Sequence, residues 1–62
     1  MTHEEAIRKA ALTSQRMGAS YRVDANRNRD EGQIVLAEMY ANWSAEQYAI
    51  ARALMKIEGG EE

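Results

Sequence analysis

The sequence predicts an all-α fold, a small αα-hairpin or three-helix unit with a long first helix and an elbowed second arm. Proline is absent and alanine, the best helix former, is abundant, which favours helix throughout. Three helix-start patterns then divide the chain. They predict helices over 3–25, 29–42 and 45–58, with a turn near 26–28.

The first helix has the clearest start. Thr2 and Glu5 are spaced as a capping box, in which the hydroxyl caps a backbone N–H and the carboxylate reaches back. The predicted arm over 3–25 is about 35 Å long at 1.5 Å per residue. Gly18 is its weak point, since glycine costs about 1 kcal/mol relative to alanine in a helix.

A second start is predicted at Asn28, where Asp30 and Glu31 follow at the positive end of the helix dipole. A rival interpretation makes 21–25 and 33–40 the two strands of a hairpin, because apolar and polar residues alternate in the first of them. We prefer the helical interpretation, given the composition.

The third start is predicted at Ser44, with Trp43 and Tyr48 in the two positions of a hydrophobic staple. Little chain separates 29–42 from 45–58, so these helices cannot fold back on each other without strain. We therefore expect an elbow or one continuous bent helix.

The length indicates that the chain needs a partner. We expect one helical domain over 1–58, ended by a glycine pair, and a flexible acidic tail over 59–62. A chain of 62 residues buries only about 60% of the surface that its unfolded form exposes. It has no cysteine and a single histidine, which excludes disulfides and any His- or Cys-based metal site within one chain. Oligomerisation is the remaining source of stability, so we expect a helical homo-oligomer.

The predicted helices are apolar on most sides, whereas a lone surface helix has one apolar stripe. Three short helices cannot cover one another that thoroughly, so further copies or a partner protein must supply the rest. The predicted interface residues are Leu12, Val23, Met39, Tyr40, Trp43, Tyr48, Ile50, Leu54 and Met55.

The arginines suggest an alternative, an anion-binding module. Residues 16–29 carry a net charge of +3, whereas 30–62 sum to −5. Guanidinium groups bind phosphate or carboxylate in a bidentate manner, and a nearby tyrosine ring could stack on a base. The candidate residues are Tyr21, Arg22, Arg27 and Arg29. The competing interpretation is a solvated turn, which we favour for Arg27, while we favour the anion site for Arg22 and Arg29.

Enzyme signatures are missing: there is no metalloprotease motif, phosphate-binding glycine loop, nucleophile motif or EF-hand pattern. His3 is expected to be an exposed first-turn residue, and no cofactor is expected. No stretch is long enough to cross a membrane and no signal peptide follows Met1, so we expect a cytoplasmic protein. The preferred function is a non-enzymatic regulator, inhibitor or assembly adaptor, comparable to small phage accessory proteins, that occupies the surface of a partner protein. Binding of a nucleotide or nucleic acid is the alternative.

Overall fold

The computed structural model describes residues 2–58 and consists of two antiparallel helices. Helix α1 spans His3–Asp30, with 28 residues, and helix α2 spans Ile34–Glu58, with 25 residues. The αα-hairpin and the long first helix are therefore confirmed. The predicted tail over 59–62 lies outside the described residues. Neither helix combines the length and apolar character that crossing a membrane requires, as far as residues 2–58 are concerned.

Helix α1 begins with the predicted capping box. The Glu5 backbone N–H donates to the Thr2 hydroxyl and the Thr2 N–H donates to the Glu5 carboxylate, both at 3.1 Å. Hydrogen bonding to the Glu5 carboxylate by the Thr2 backbone N–H first, and by the Thr2 side chain second, holds the pKa of the Glu5 carboxyl below its usual value, because it favours the ionised form.

The turn predicted near 26–28 is wrong, since α1 continues to Asp30. Asn28 does not cap the start of a new helix. Its side-chain amide donates to the Asp24 backbone carbonyl at 2.7 Å, one turn earlier in α1. The chain reverses through Gly32 instead, which has a φ of +79°. There the Gln33 N–H donates to the Asn28 carbonyl at 2.7 Å. Together with the Gly32-to-Arg29 bond at 3.1 Å, this is a Schellman motif, which favours glycine at its left-handed position.

Of the elbow and the continuous helix that the sequence allowed, the structure has the continuous one, because α2 runs from Ile34 to Glu58 without a break; a separate third helix starting at Ser44 is wrong. Ser44 lies in its interior, where the hydroxyl donates to the Gly18 carbonyl of α1 at 2.7 Å. Trp43 packs on aromatic rings, whereas Tyr48 lies against Gly18, so they do not form the predicted staple. The strand alternative fails as well, since both candidate segments are almost entirely helical.

The helices meet along a line of small side chains, here called the seam. The Gly18–Ser44 contact sets the antiparallel register. Counting seven residues in either direction places Ala25 level with Ala37, and Ala11 level with Ala51. The seam consists of the buried residues Ala11, Ser14, Gly18, Ala25, Ala37, Ser44 and Ala51. No larger side chain is buried within residues 2–57, so the seam brings the helices close without forming a substantial core.

Candidate functional site

The seam divides the flat hairpin into two faces. The molecule measures 44 × 23 × 10 Å along its principal axes, so it is a single layer of two helices. With about 100° of rotation per residue, positions three before and four before a seam residue fall on opposite sides of it. Each helix therefore contributes one set of side chains to each face.

The first face is centred on three aromatic rings. The Tyr40 and Trp43 centroids are 5.5 Å apart in an edge-to-face arrangement, with an interplanar angle of 83°. Tyr21 of α1 completes the cluster, with its centroid 5.7 Å from Trp43 and 6.2 Å from Tyr40. Such pairs contribute about 0.5–1.5 kcal/mol beyond area burial. The cluster joins the helices on one side of the seam while leaving Trp43 40% exposed.

Other apolar side chains extend this cluster along the hairpin at three-, four- and seven-residue spacings. We call this surface the apolar face. Its members are Ile7, Met17, Tyr21, Leu36, Tyr40, Trp43, Ile50, Leu54 and Ile57. Met17, Leu36, Trp43, Ile50 and Ile57 are exposed, and the others are half-buried. A single hairpin therefore leaves most of its large apolar side chains in contact with water.

The opposite side of the seam carries a groove made of three adjoining hollows. One, of about 360 Å³, lies towards the turn and is lined by Arg22, Ala25, Asn26, Arg29, Ala41, Ser44, Ala45 and Tyr48. A second, of about 380 Å³, is lined by Gln15, Tyr48, Ala51, Arg52, Met55 and Lys56. The third, of about 250 Å³, is lined by Arg8, Ala11, Leu12, Gln15 and Met55. Because Tyr48 lines the first two and Gln15 the last two, the hollows form one continuous groove.

The groove is basic although the chain has a net charge of −2. Five of the eight cationic side chains line it, and no acidic side chain among residues 2–57 does. Arg8 lies 3.8 Å from Glu4 at one end. Arg22 and Arg29 make no ion pair with any residue in 2–58. Their charges are therefore directed to solvent in the hollow nearest the turn.

The structure separates the four predicted anion-binding residues. Arg22 and Arg29 lie together in the groove, with Asn26 between them. Arg27 points elsewhere and pairs with Asp24 at 2.8 Å. Tyr21 belongs to the aromatic cluster across the seam, and the groove tyrosine is Tyr48 instead.

The nine predicted interface residues also divide between surfaces. Tyr40, Trp43, Ile50 and Leu54 lie on the apolar face. Leu12, Tyr48 and Met55 line the groove. Val23 and Met39, each five residues from the Gly18–Ser44 contact, are exposed and lie about 140° from the seam.

The described residues offer no metal centre. Residues 2–58 contain no cluster of three or more His, Cys, Asp or Glu side chains that could hold a metal ion. His3 is exposed in the first turn of α1. The two faces thus differ in character: apolar side chains cover one, and basic side chains line the other.

Sequence reasoning overlooked the seam of α2 and the groove. Ala37, Ser44 and Ala51 are small residues at an exact seven-residue spacing, which matches the spacing of Ala11, Gly18 and Ala25 in α1. Two such repeats of small residues indicate close antiparallel helices. That register would have placed Arg22, Arg29 and Tyr48 on the same side of the seam.

Comparison of the chain with models of known protein families, with curated proteins and with solved structures gave no match. The function is therefore argued from the two faces of the hairpin.

Proposed function

We propose that the protein is a non-enzymatic helical interaction module that assembles with a second copy through its apolar face, and that the assembled form binds the surface of a partner protein. The observation that carries the proposal is the absence of any buried side chain larger than serine in residues 2–57. Removing large apolar side chains from water is the main stabilising term in folding. One hairpin does not achieve this, and a second layer of helices would.

The dimensions of the hairpin suit such an assembly. A face of 44 × 23 Å covers about 1,000 Å² per copy. Two such faces would bury about 2,000 Å² in total, and stable interfaces bury about 1,200–2,000 Å². Two hairpins packed face to face would form a four-helix bundle, in which the aromatic cluster becomes part of a shared core. Trp and Tyr are also the residues that most often dominate binding energy at interfaces.

Assembly is tested by sedimentation across a concentration series. We expect two or more chains per particle at micromolar concentration, and Ile50→Glu should shift the particle towards the single chain. Val35→Glu is the matched control, because it places the same charge on α2 at a position that is 73% exposed and on the side of the helix away from the seam. A single 7.0 kDa species that melts at the same temperature at every concentration would refute the proposal.

The partner is tested by capture from a cell lysate with the immobilised protein at low and high salt. An apolar interface responds weakly to ionic strength, because screening acts on charges. Val23 and Met39 stay exposed outside the contact between the two copies, so an apolar partner interface can form there. We expect capture of a protein that survives high salt and is unaffected by Arg16→Gln. Loss of all captured protein at high salt would contradict an apolar partner interface.

A further inference from the structure

We propose that the groove binds the phosphate backbone of a single-stranded nucleic acid. The proposal concerns one hairpin and does not depend on assembly through the apolar face. It rests on the placement of charge, on the shape of the groove and on the polar side chains between the cations.

Charge placement is the first argument. Four arginines and one lysine line a groove that contains no acidic side chain from residues 2–57, in a chain that is acidic as a whole. Arg22 and Arg29 are two turns apart on α1, about 10.5 Å along its axis. Both line one hollow, and neither has an ion-pair partner among residues 2–58. Guanidinium groups that make no such ion pair are suited to bidentate hydrogen bonds with phosphate oxygens.

The shape of the groove favours an extended ligand over an isolated anion. Arg22 and Arg29 lie towards the turn, while Arg52 and Lys56 lie beyond Tyr48 towards the open end. The distance along α1 from Arg8 to Arg29 is about 32 Å. Grooves that track a single strand accommodate about 4–16 nucleotides, and cations at both ends of such a path are bridged only by a polymer. Each of the two larger hollows, about 360 and 380 Å³, suits the components of one strand rather than a double helix.

The remaining lining distinguishes a nucleic acid from an acidic peptide. Tyr48 is half-buried where the hollows meet, and one side of its ring lies against Gly18. A base can stack on the other side, as bases do on aromatic side chains in sequence-independent binders. The Gln15 and Asn26 amides, which also line the groove, can donate to and accept from base edges or sugars.

The test is fluorescence anisotropy with a labelled ten-nucleotide oligothymidylate at low salt. The groove variant combines Arg22→Gln with Arg29→Gln. The matched control combines Arg16→Gln with Arg27→Gln, which makes the same change in charge on the same helix but outside the groove lining. We expect the groove variant to weaken binding about tenfold or more, since hydrogen bonds to charged groups are strong. The control should stay within about twofold, and the slope of log K against log salt should fall by about 1.4 in the groove variant alone.

Competition identifies the ligand class. Inorganic phosphate and a deca-glutamate peptide should displace the oligonucleotide only at much higher concentration. Displacement by inorganic phosphate at equal phosphate concentration would overturn the extended-strand proposal, and tighter binding of the peptide would overturn the choice of phosphate. Equal weakening of oligonucleotide binding in both double variants, or no binding by the unmodified protein, would overturn the proposal that the groove is the binding site.

A measurement on the unmodified protein avoids any effect of the substitutions on folding. NMR shift changes on adding the oligonucleotide should concentrate at Arg22, Asn26, Arg29 and Tyr48, and leave the Trp43 indole unchanged. Shifts centred on Trp43 would assign the binding to the apolar face and refute the groove. Sedimentation of the same samples reports assembly separately, so failure of the groove and failure of the proposed assembly are distinguishable.

Discussion

The two faces of the hairpin share one seam but carry opposite chemistry, and adjacent residues alternate between them. Tyr21 belongs to the aromatic cluster, whereas Arg22 lines the groove. Two helical turns before Tyr21 and Arg22, Ser14 is buried in the seam and Gln15 lines the groove. A two-helix layer has no interior, so its large side chains lie on one face, on the other, or, like Val23 and Met39, on the outer sides of the helices. In the proposed assembly the apolar face is covered by another chain, while the groove remains in water.

This difference predicts that the faces respond to different variables. Burial of apolar surface depends on protein concentration when the cover is another copy. Phosphate recognition depends on salt, because bound counterions are released. Concentration should thus act through the apolar face and ionic strength through the groove. The experiments below test that separation, beginning with the largest expected effect.

The largest effect is expected for Trp43→Ala. Trp43 is 40% exposed in one hairpin, and the proposed assembly would bury it fully. The substitution should then lower the free energy of unfolding by about 3–5 kcal/mol at concentrations where the protein is assembled. Chemical denaturation at several concentrations measures this, and the loss should shrink on dilution.

Leu12→Ala provides the comparison from the groove side, because Leu12 is similarly exposed, at 48%. Its loss should be smaller and independent of concentration. Equal losses for the two variants at every concentration would mean that the apolar face receives no more cover than the groove.

The second prediction concerns Gly18, where the faces are held together. A Cβ atom at this position would lie 3.0 Å from Cε2 of the Tyr48 ring. Gly18→Leu should therefore displace the ring and separate the helices, with a loss of about 1–3 kcal/mol from overpacking. Thermal or chemical denaturation reports the loss. Ser20→Leu adds the same side chain at an exposed position of α1 and should be nearly neutral.

The substitution at Gly18 also tests whether one change can damage both surfaces. Because Tyr48 lines the groove, Gly18→Leu should weaken oligonucleotide binding as well as stability. Stability unchanged from that of the unmodified protein would show that the ring adapts and that the seam tolerates larger side chains.

A smaller effect is expected for Ser44→Ala. The Ser44 hydroxyl donates to the buried Gly18 carbonyl at 2.7 Å, and alanine removes that bond with little change in volume. The expected loss in the free energy of unfolding is about 0.5–1.5 kcal/mol, the usual net value of one hydrogen bond. Neither the assembly nor the salt dependence of binding should change. A change in either would show that the bond controls the register of the faces.

Much of the fold could be predicted from local chemistry. The capping box at Thr2 and Glu5 depends on residues three apart and was correctly predicted. The turn was misplaced because Asn28 resembles a helix start, while Gly32 received no weight as a left-handed C-terminal residue. Ser44 was misjudged for a similar reason: serine often caps helices, but here its hydroxyl bonds across to α1. Local patterns do not distinguish a cap from a long-range hydrogen bond.

The candidate site could be predicted only in part, because it depends on the register between helices. Arg22 and Arg29 were correctly grouped, since both positions lie on one side of a single helix. Tyr21 was grouped with them by closeness in sequence, yet one residue rotates a side chain by about 100° and places it on the other face. Tyr48 is 26 residues beyond Arg22, and only the antiparallel register brings it into the groove.

The smallest effect is expected when the pH is lowered and the Glu5 carboxylate, at the start of α1 and away from the centre of either face, becomes protonated. The pKa of Glu5 is lower in the folded protein than in an unfolded chain, because Thr2 hydrogen-bonds to the ionised carboxylate. The stability that the ionised form contributes is therefore fully present above the unfolded pKa and lost as pH falls through the folded pKa. Glu5→Gln should remove this dependence, since the amide oxygen can still accept from the Thr2 N–H. NMR titration of the carboxyl carbon, against the same residue in an unfolded peptide, measures the shift. The assembly and oligonucleotide binding should both persist through the pH at which Glu5 titrates. Loss of either at that pH, if Glu5→Gln abolished the loss, would show that the capping box is coupled to one of the faces.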